Sequence, residues 1–168
     1  TYYIGAVNAV QGSKNLNLVL NTEDENERNL YYQQAVKYYE KACSLNPLSA
    51  EYKTDLAYAY VLRYLALKKA DHPLAGQALS QTAEMIDKAG KLKPYDLKIR
   101  SSLLNTASLT GDFEIMRKQA EAVIKANPLD INTYESSIKI LAAGMDLYEK
   151  NKEQEKVSEL AKEIVDVY

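Results

Sequence analysis

The chain has 168 residues, the length of one ordinary domain, and 46% of them are apolar, enough to form a substantial core. A formal net charge of −2 provides no excess of cations, so nucleic acid and anionic lipid are not expected partners. A single cysteine excludes an internal disulfide. No run of about 18 or more apolar residues predicts a membrane-spanning helix, so we expect no direct membrane insertion by these residues.

Helices account for the whole predicted secondary structure. Glycine and proline are scarce, and apolar residues recur at spacings of three and four, which predicts an all-α fold. In chain order, we predict helices over about 2–19, 23–45, 49–70, 73–91, 96–109, 112–126, 130–149 and 152–167. Gly5 and Gly12 weaken the prediction of the first helix.

Local signals mark the boundaries between these helices. Thr22, followed by three acidic residues, predicts a capping box at the start of the second helix. Its hydroxyl can accept a hydrogen bond from an unpaired backbone N–H of the first turn, and acidic side chains are stabilised at the positive end of the helix dipole. Other boundaries are predicted at Asp71 before Pro73, at Gly111 before Asp112, and at Asp130 after Pro128.

Three prolines indicate an internal repeat. Pro47, Pro94 and Pro128 are separated by 47 and 34 residues. Small and apolar residues mostly keep the same offsets from each proline. Counting back from the three prolines in order, the fifth residue is Ala42, Ala89 and Val123, and the eighth is Tyr39, Ile86 and Ala120. Counting forward, the ninth residue is Leu56, Leu103 and Ser137, and the thirteenth is Tyr60, Ala107 and Leu141.

With these offsets the chain resembles the tetratricopeptide repeat family, whose unit of about 34 residues is a pair of antiparallel helices closed by a proline. The match is best in "AVKYYEKACSLNPLSAEYKTDLAYAY", and "LTGDFEIMRKQAEAVIKANP" adds the family's Gly-Asp-aromatic turn. The departures are Thr82 and Met116 in place of the small residue at Ala35, and Ser137 in the leucine series. Long helices in the second repeat would absorb the extra residues of the first interval.

The resemblance implies a single domain over residues 1–168, folded as a right-handed superhelix of about four antiparallel helix pairs. In this family the first helix of each pair lines a concave groove, and its outward residues bind a partner. Carried over by offset from each proline, the groove residues are Glu51, Thr54, Tyr58, Lys98, Ser101, Asn105, Asn132, Glu135 and Lys139. This mixed polar set favours a peptide or protein partner. Solvated helix faces are the alternative interpretation.

Catalytic chemistry has little support in the residue types. His72 is the single histidine and lies before a proline, so an exposed residue at a helix start is favoured over a general base. Cys43 lies beside Ala42 in the helix that carries Tyr39, which favours a buried small side chain over a reactive thiol. With one histidine, one cysteine and isolated glycines, we predict no metal site, no phosphate loop, no cofactor and no enzymatic activity.

Two further features have both a structural and a functional interpretation. The acidic stretch "NTEDENER" lacks the ordered ligands and central glycine of a calcium loop, so a solvated helix start is favoured. Fourteen tyrosines could stack on bases or sugars, but Tyr39, Tyr60 and Tyr134 lie at repeat-core offsets. Core packing is therefore the favoured role of these three residues.

The leading hypothesis is a non-catalytic scaffold that binds a peptide or protein in its groove. As an alternative, the Tyr-rich "NPLSAEYKTDLAYAY" and a start without a helix cap resemble the soluble repeat domains appended to bacterial O-antigen ligase or polymerase-like membrane proteins. That resemblance implies an accessory domain of a glycan-transfer enzyme, cut from a longer protein and tethered to a bacterial membrane by flanking sequence. The residues themselves predict no compartment.

The last helix offers a third interpretation, self-association. Val157, Leu160, Ile164 and Val165 form a helical stripe that the end of a stack of helices must cover. Packing of this stripe on the preceding helix, with Lys156, Glu159 and Glu163 in solvent, is the favoured alternative.

Overall fold

The structure, a computed structural model, describes residues 2–127, 131–150 and 154–167. Side chains are described throughout these ranges except at positions 2, 131–134, 136, 141, 147, 148, 150, 154, 160 and 163–167. The described segments contain eight α-helices and no β-strand, which confirms the predicted all-α fold. The helices are α1 (Tyr2–Asn21), α2 (Glu25–Leu45), α3 (Ala50–Lys69), α4 (Ala75–Leu92), α5 (Leu97–Thr110), α6 (Phe113–Ala126), α7 (Ile131–Lys150) and α8 (Gln154–Val167).

Packing divides the chain into two compact units, unit 1 (Thr1–Lys93) and unit 2 (Pro94–Tyr168). In unit 1, α1 packs along α2, α3 packs along α4, and α2 contacts α3. In unit 2, α5 packs along α6, α7 packs along α8, and α6 contacts α7. Because the connections within these pairs are short, each pair is an antiparallel hairpin. The single domain over residues 1–168 stays a prediction.

Side-chain caps set four of the helix starts. Asp24, Ser49, Asp96 and Asp112 each accept a hydrogen bond from the backbone N–H three residues later. The predicted cap at Thr22 is wrong, because α1 continues to Asn21 and the Asp24 carboxylate takes the Glu27 N–H at 2.9 Å. A carboxylate at this position also interacts favourably with the helix dipole. The predicted boundary at Pro128 and Asp130 lies outside the described residues.

The turn between α3 and α4 uses a different device from the one predicted. Asp71 does not cap α4, which begins at Ala75 without a side-chain cap. Instead, Asp71 has φ 50° and ends α3: its N–H donates to Lys68 O at 3.1 Å, while the His72 N–H donates to Leu67 O at 2.9 Å. These two bonds form a Schellman motif in which Asp occupies the left-handed position that glycine usually takes.

The extra residues of the first proline interval lie in long helices, as predicted. In unit 1, α3 has 20 residues and α4 has 18, whereas α5 and α6 in unit 2 have 14 each. The short turn after α3 therefore absorbs little of the additional length, and the two hairpins differ mainly in how far their helices extend.

Small side chains allow close helix approach in unit 1. Ala35 and Ala42 on α2, Ala57 on α3 and Ala89 on α4 have no solvent-accessible surface. Thr82, a departure from the small-residue pattern, is also fully buried, and its hydroxyl donates to Ala78 O at 2.9 Å. The hydroxyl is thus satisfied within its own helix, which makes its burial tolerable.

Tyrosines fill the space around these small residues. Tyr39 and Tyr60 are buried in one cluster with Leu16 and Leu56, which confirms their predicted core packing. Gly12 on α1 lies directly against the Tyr39 ring, where an added Cβ would be 3.0 Å from three ring atoms. The glycine that weakened the helix prediction is therefore a site of close packing. The Tyr134 side chain lies outside the described residues.

Unit 2 has a similar arrangement around Phe113. Phe113 is buried at the start of α6 against Met116, Met145 and Val157. Gly144 on α7 provides the space for the ring, since an added Cβ would be 1.8 Å from Phe113 Cε2. A second cluster contains Leu104, Ala120 and Val123, with Ile140 packed against it.

Ser137, the departure from the leucine series, is fully buried and its hydroxyl donates to Ala120 O at 3.4 Å. This long contact joins α7 to α6, so the polar side chain bridges two helices at a position where the repeat pattern has an apolar residue. Burial of the hydroxyl is compensated by the carbonyl that it reaches.

The described part of α8 favours core packing of its stripe over self-association. Val157 is half-buried against the Phe113 cluster, while Lys156 and Glu159 are exposed. The side chains of Leu160, Glu163, Ile164 and Val165 lie outside the described residues.

Candidate functional site

The predicted groove residues of unit 1 differ in accessibility. Glu51, Thr54 and Tyr58 all lie on α3 at helical spacing, but Thr54 is buried and its hydroxyl donates to Ala50 O at 2.9 Å. Thr54 therefore belongs to the core of unit 1 and has no outward-facing hydroxyl to offer a partner. The offset from the proline could not show that other helices cover Thr54.

Glu51 is exposed and is held by contacts within unit 1. Its carboxylate accepts from Lys93 Nζ at 2.5 Å and from the Ser49 hydroxyl at 3.0 Å. The hydrogen bond from Lys93 is the main reason that the pKa of Glu51 lies below its usual value. This ion pair joins the start of α3 to the residue that ends α4, and it is solvent-exposed, so its contribution to stability is small.

Tyr58 provides an aromatic surface between two apolar clusters. It is half-buried and packs both on the cluster around Tyr39 and on the cluster of Val61, Tyr64 and Ala78. A half-buried tyrosine fixed in this way offers a rigid ring face at low entropic cost, a property common among residues that dominate interface energetics.

Asp55 is a candidate that the sequence analysis missed. Solvent reaches its side chain, yet surrounding protein atoms desolvate the carboxylate, and this desolvation, followed by the nearby Glu51 charge, raises the pKa of Asp55 to about 6. The available signal was the like-charge spacing of four between Glu51 and Asp55. A carboxyl group with a raised pKa beside Glu51 and Tyr58 makes this side of α3 sensitive to pH.

The predicted groove residues of unit 2 are all exposed where they are described. Lys98, Ser101 and Asn105 follow one another at spacings of three and four along α5, so they share one side of that helix. Glu135 and Lys139 are exposed on α7, and the side chain of Asn132 lies outside the described residues. The surface of α5 is thus polar, with one cation and two hydrogen-bonding side chains.

A polar cluster between α2 and α3 was also missed. The Arg63 guanidinium lies 5.3 Å from the centre of the Tyr32 ring, and the Tyr60 hydroxyl donates to Glu40 Oε1 at 2.9 Å. Burial raises the pKa of Tyr32 to about 12 and raises the pKa of Tyr60 as well, so both phenols are neutral at physiological pH. The cluster holds the two helices together.

The two residues considered for catalysis have structural surroundings. Cys43 is half-buried against the Tyr39 cluster, and this burial raises the pKa of its thiol, which disfavours the reactive thiolate. His72 is exposed in the turn after α3, and its Nδ1 accepts a hydrogen bond from the Leu74 N–H at 3.2 Å. Both observations agree with the interpretations favoured from the sequence.

Within the described ranges, no three histidine, cysteine, aspartate or glutamate side chains lie close enough together to hold a metal ion. Over the same part of the chain, no helix combines the length and the apolar character that crossing a membrane requires. Comparison with known proteins adds no assignment: no family model matches the sequence, and no curated protein matches it significantly.

Proposed function

We propose that this chain is a non-catalytic scaffold of tetratricopeptide-like helical hairpins, stacked as a right-handed superhelix, that binds an extended peptide or a protein partner along the first helices of its pairs. The observation that carries the proposal is the repeated pairing of adjacent helices, α1 with α2, α3 with α4, α5 with α6 and α7 with α8. One such hairpin buries too little apolar surface to be stable alone, so hairpins stack and present the same helix to the same side.

The chemistry of the first helices supports a peptide or protein ligand. On α3, Tyr58 supplies a fixed aromatic face next to the carboxylates of Glu51 and Asp55. On α5, Lys98 and Asn105 supply a cation and an amide. Affinity is expected from the aromatic contact, whereas the polar groups set the register of the bound chain.

Selection from a random peptide library, displayed on phage, tests the proposal without a known partner. The test variant replaces Tyr58, Lys98 and Asn105, all on first helices, with alanine. The control replaces a tyrosine, a lysine and an asparagine on second helices, namely Tyr38, Lys125 and Asn29.

Peptides selected by the wild-type chain should bind the test variant at least about tenfold more weakly and the control variant with nearly unchanged affinity. Circular dichroism of both variants checks that the helices are retained. Equal binding to both variants, or failure to select any peptide, would contradict the proposed function.

A further inference from the structure

The polarity of α1 is inverted relative to an ordinary surface helix. The side that packs inside unit 1 carries Gly5, Asn8, Gly12 and Asn15, all buried, together with the buried apolar side chain of Leu16. The two asparagine amides bond only to their own helix, with Asn8 Nδ2 donating to Ile4 O at 2.7 Å and Asn15 Nδ2 donating to Gln11 O at 2.9 Å. Apart from Leu16, small and polar residues thus occupy these positions, where a surface helix normally places its apolar residues.

The opposite side of α1 is apolar and exposed. Tyr3, Ile4, Val7, Val10 and Leu18 are 79%, 52%, 42%, 54% and 45% exposed, and their spacing places them on one side of the helix. Lys14, on the same side, is the single charged residue of α1. We call these five apolar residues the α1 stripe. A helix that exposes its apolar side and buries its polar side is suited to being covered.

The size of the α1 stripe is compatible with a weak dimer. With about 100 Å² for a fully exposed aliphatic side chain and about 200 Å² for tyrosine, the stripe exposes roughly 350 Å² of apolar side chain. Homodimer interfaces are about 65% apolar, so a matching interface buries roughly 550 Å² per copy and about 1,100 Å² in total. That total just exceeds the approximately 1,000 Å² expected of a specific interface.

We propose that α1 pairs in antiparallel fashion with α1 of a second copy of this chain, across a two-fold axis near Val10. Such an interface is self-complementary, because an uncharged apolar stripe matches itself without a complementary charge pattern. The axis brings the two Val10 side chains together and places Tyr3 of each copy towards Leu18 of the other.

The charges around the α1 stripe are compatible with this arrangement. The two Lys14 residues lie about 12 Å apart along the helix axis, slightly more than one Debye length of about 10 Å at about 0.1 M salt. Each ammonium group can reach solvent while its methylenes cover apolar surface. An anionic membrane is a less suitable occupant, because one lysine provides little attraction and the exposed Glu23, Glu25 and Glu27 follow α1 directly. This proposal does not depend on the peptide-binding function.

Analytical ultracentrifugation from about 1 μM to about 1 mM, a range suited to a small interface, tests the association directly. We expect a reversible monomer–dimer equilibrium. Val10→Lys places a charge at the axis and should weaken dimerisation at least about tenfold. Leu48→Lys is the matched control, because Leu48 is an apolar residue in the turn between α2 and α3 with 75% exposure, and it should leave dimerisation unchanged.

Spin labels provide a second measurement if Val10→Lys unfolds the chain. In a Cys43→Ser background, labels attached through Val10→Cys should be closer across the dimer than labels at Leu18→Cys by about 20 Å, from the helical rise over eight residues in each copy. A monomer at every concentration, equal dimerisation of the two lysine variants, or a shorter distance at Leu18 would each overturn the proposal. So would α1-dependent binding to phosphatidylglycerol vesicles by a chain that stays monomeric.

Discussion

Replacing Gly144 with alanine tests the packing of unit 2 most directly. An added Cβ would lie 1.8 Å from Phe113 Cε2 and 2.2 Å from Cζ, whereas two carbon atoms in contact are normally about 3.5–4.0 Å apart. The nearest ring atom must therefore retreat by more than about 1.5 Å, or α7 must move away from α6. Because Phe113 is buried against Met116 and Met145, the ring has little space for this movement.

Two opposing contributions determine the size of the effect. Overpacking of this kind costs about 1–3 kcal/mol, and the large overlap places this site near the upper limit. Alanine in a helix interior recovers about 0.5–1 kcal/mol relative to glycine. We therefore expect Gly144→Ala to lower the free energy of unfolding by about 2 kcal/mol.

Urea unfolding, followed by circular dichroism and tyrosine fluorescence, measures this difference. Gly76→Ala is the matched control, because Gly76 is also helical but an added Cβ there meets no atom within 4 Å. It should be neutral or stabilising by up to about 0.5–1 kcal/mol. Of these two substitutions, identical in chemistry, Gly144→Ala is thus predicted to destabilise the chain and Gly76→Ala is not.

Coupling to Phe113 checks the cause. Phe113→Leu removes Cε2 and Cζ, the two ring atoms nearest to the new methyl group, so it should cost less stability in the Gly144→Ala background than in the wild-type chain. Wild-type stability of Gly144→Ala, or strict additivity of the two substitutions, would refute the reasoning.

The remaining predictions concern turns, caps and one carboxyl group, all measured by denaturant unfolding. Asp71→Gly should stabilise the chain by about 0.5–1 kcal/mol, because Asp71 has the left-handed φ of 50° that glycine adopts without strain. Gly111→Ala should destabilise the chain by about 1–2 kcal/mol, because Gly111 has φ 64° and an added Cβ meets no other atom, so only backbone strain changes. If both substitutions changed stability in the same direction, the assignment of strain would be contradicted. Asp24→Ala should lower the free energy of unfolding by about 1 kcal/mol, and Thr22→Ala should lower it much less, because Asp24 caps α2. An equal loss of stability in the two variants would show that Thr22 also acts as a cap. The raised pKa of Asp55 means that its ionisation opposes folding, an effect absent below about pH 4 and complete above about pH 6. Asp55→Asn should therefore stabilise the chain at pH 7.5, by less than about 1 kcal/mol for this solvent-accessible group, and have little effect at pH 4; a difference independent of pH would show that desolvation of the charge is not involved.

The sequence by itself determined the existence and approximate limits of the eight helices. The signals for these features are local, because each acts within a few residues. They are the spacing of apolar residues by three or four, the prolines, the left-handed Gly111 that ends α5 and the Asp112 cap that starts α6. The proline offsets also predicted the burial of Tyr39 and Tyr60, because repeated hairpins bury equivalent positions.

Only the tertiary structure decided which side of each helix is covered. Thr54 is buried while Asp55 beside it is accessible but desolvated, and Glu51 is bound to Lys93, which is 42 residues away along the chain. Likewise, Gly12 lies against Tyr39 while Val10 of the same helix is exposed. Burial and pKa depend on atoms contributed by other helices, and no local pattern within one helix specifies those atoms.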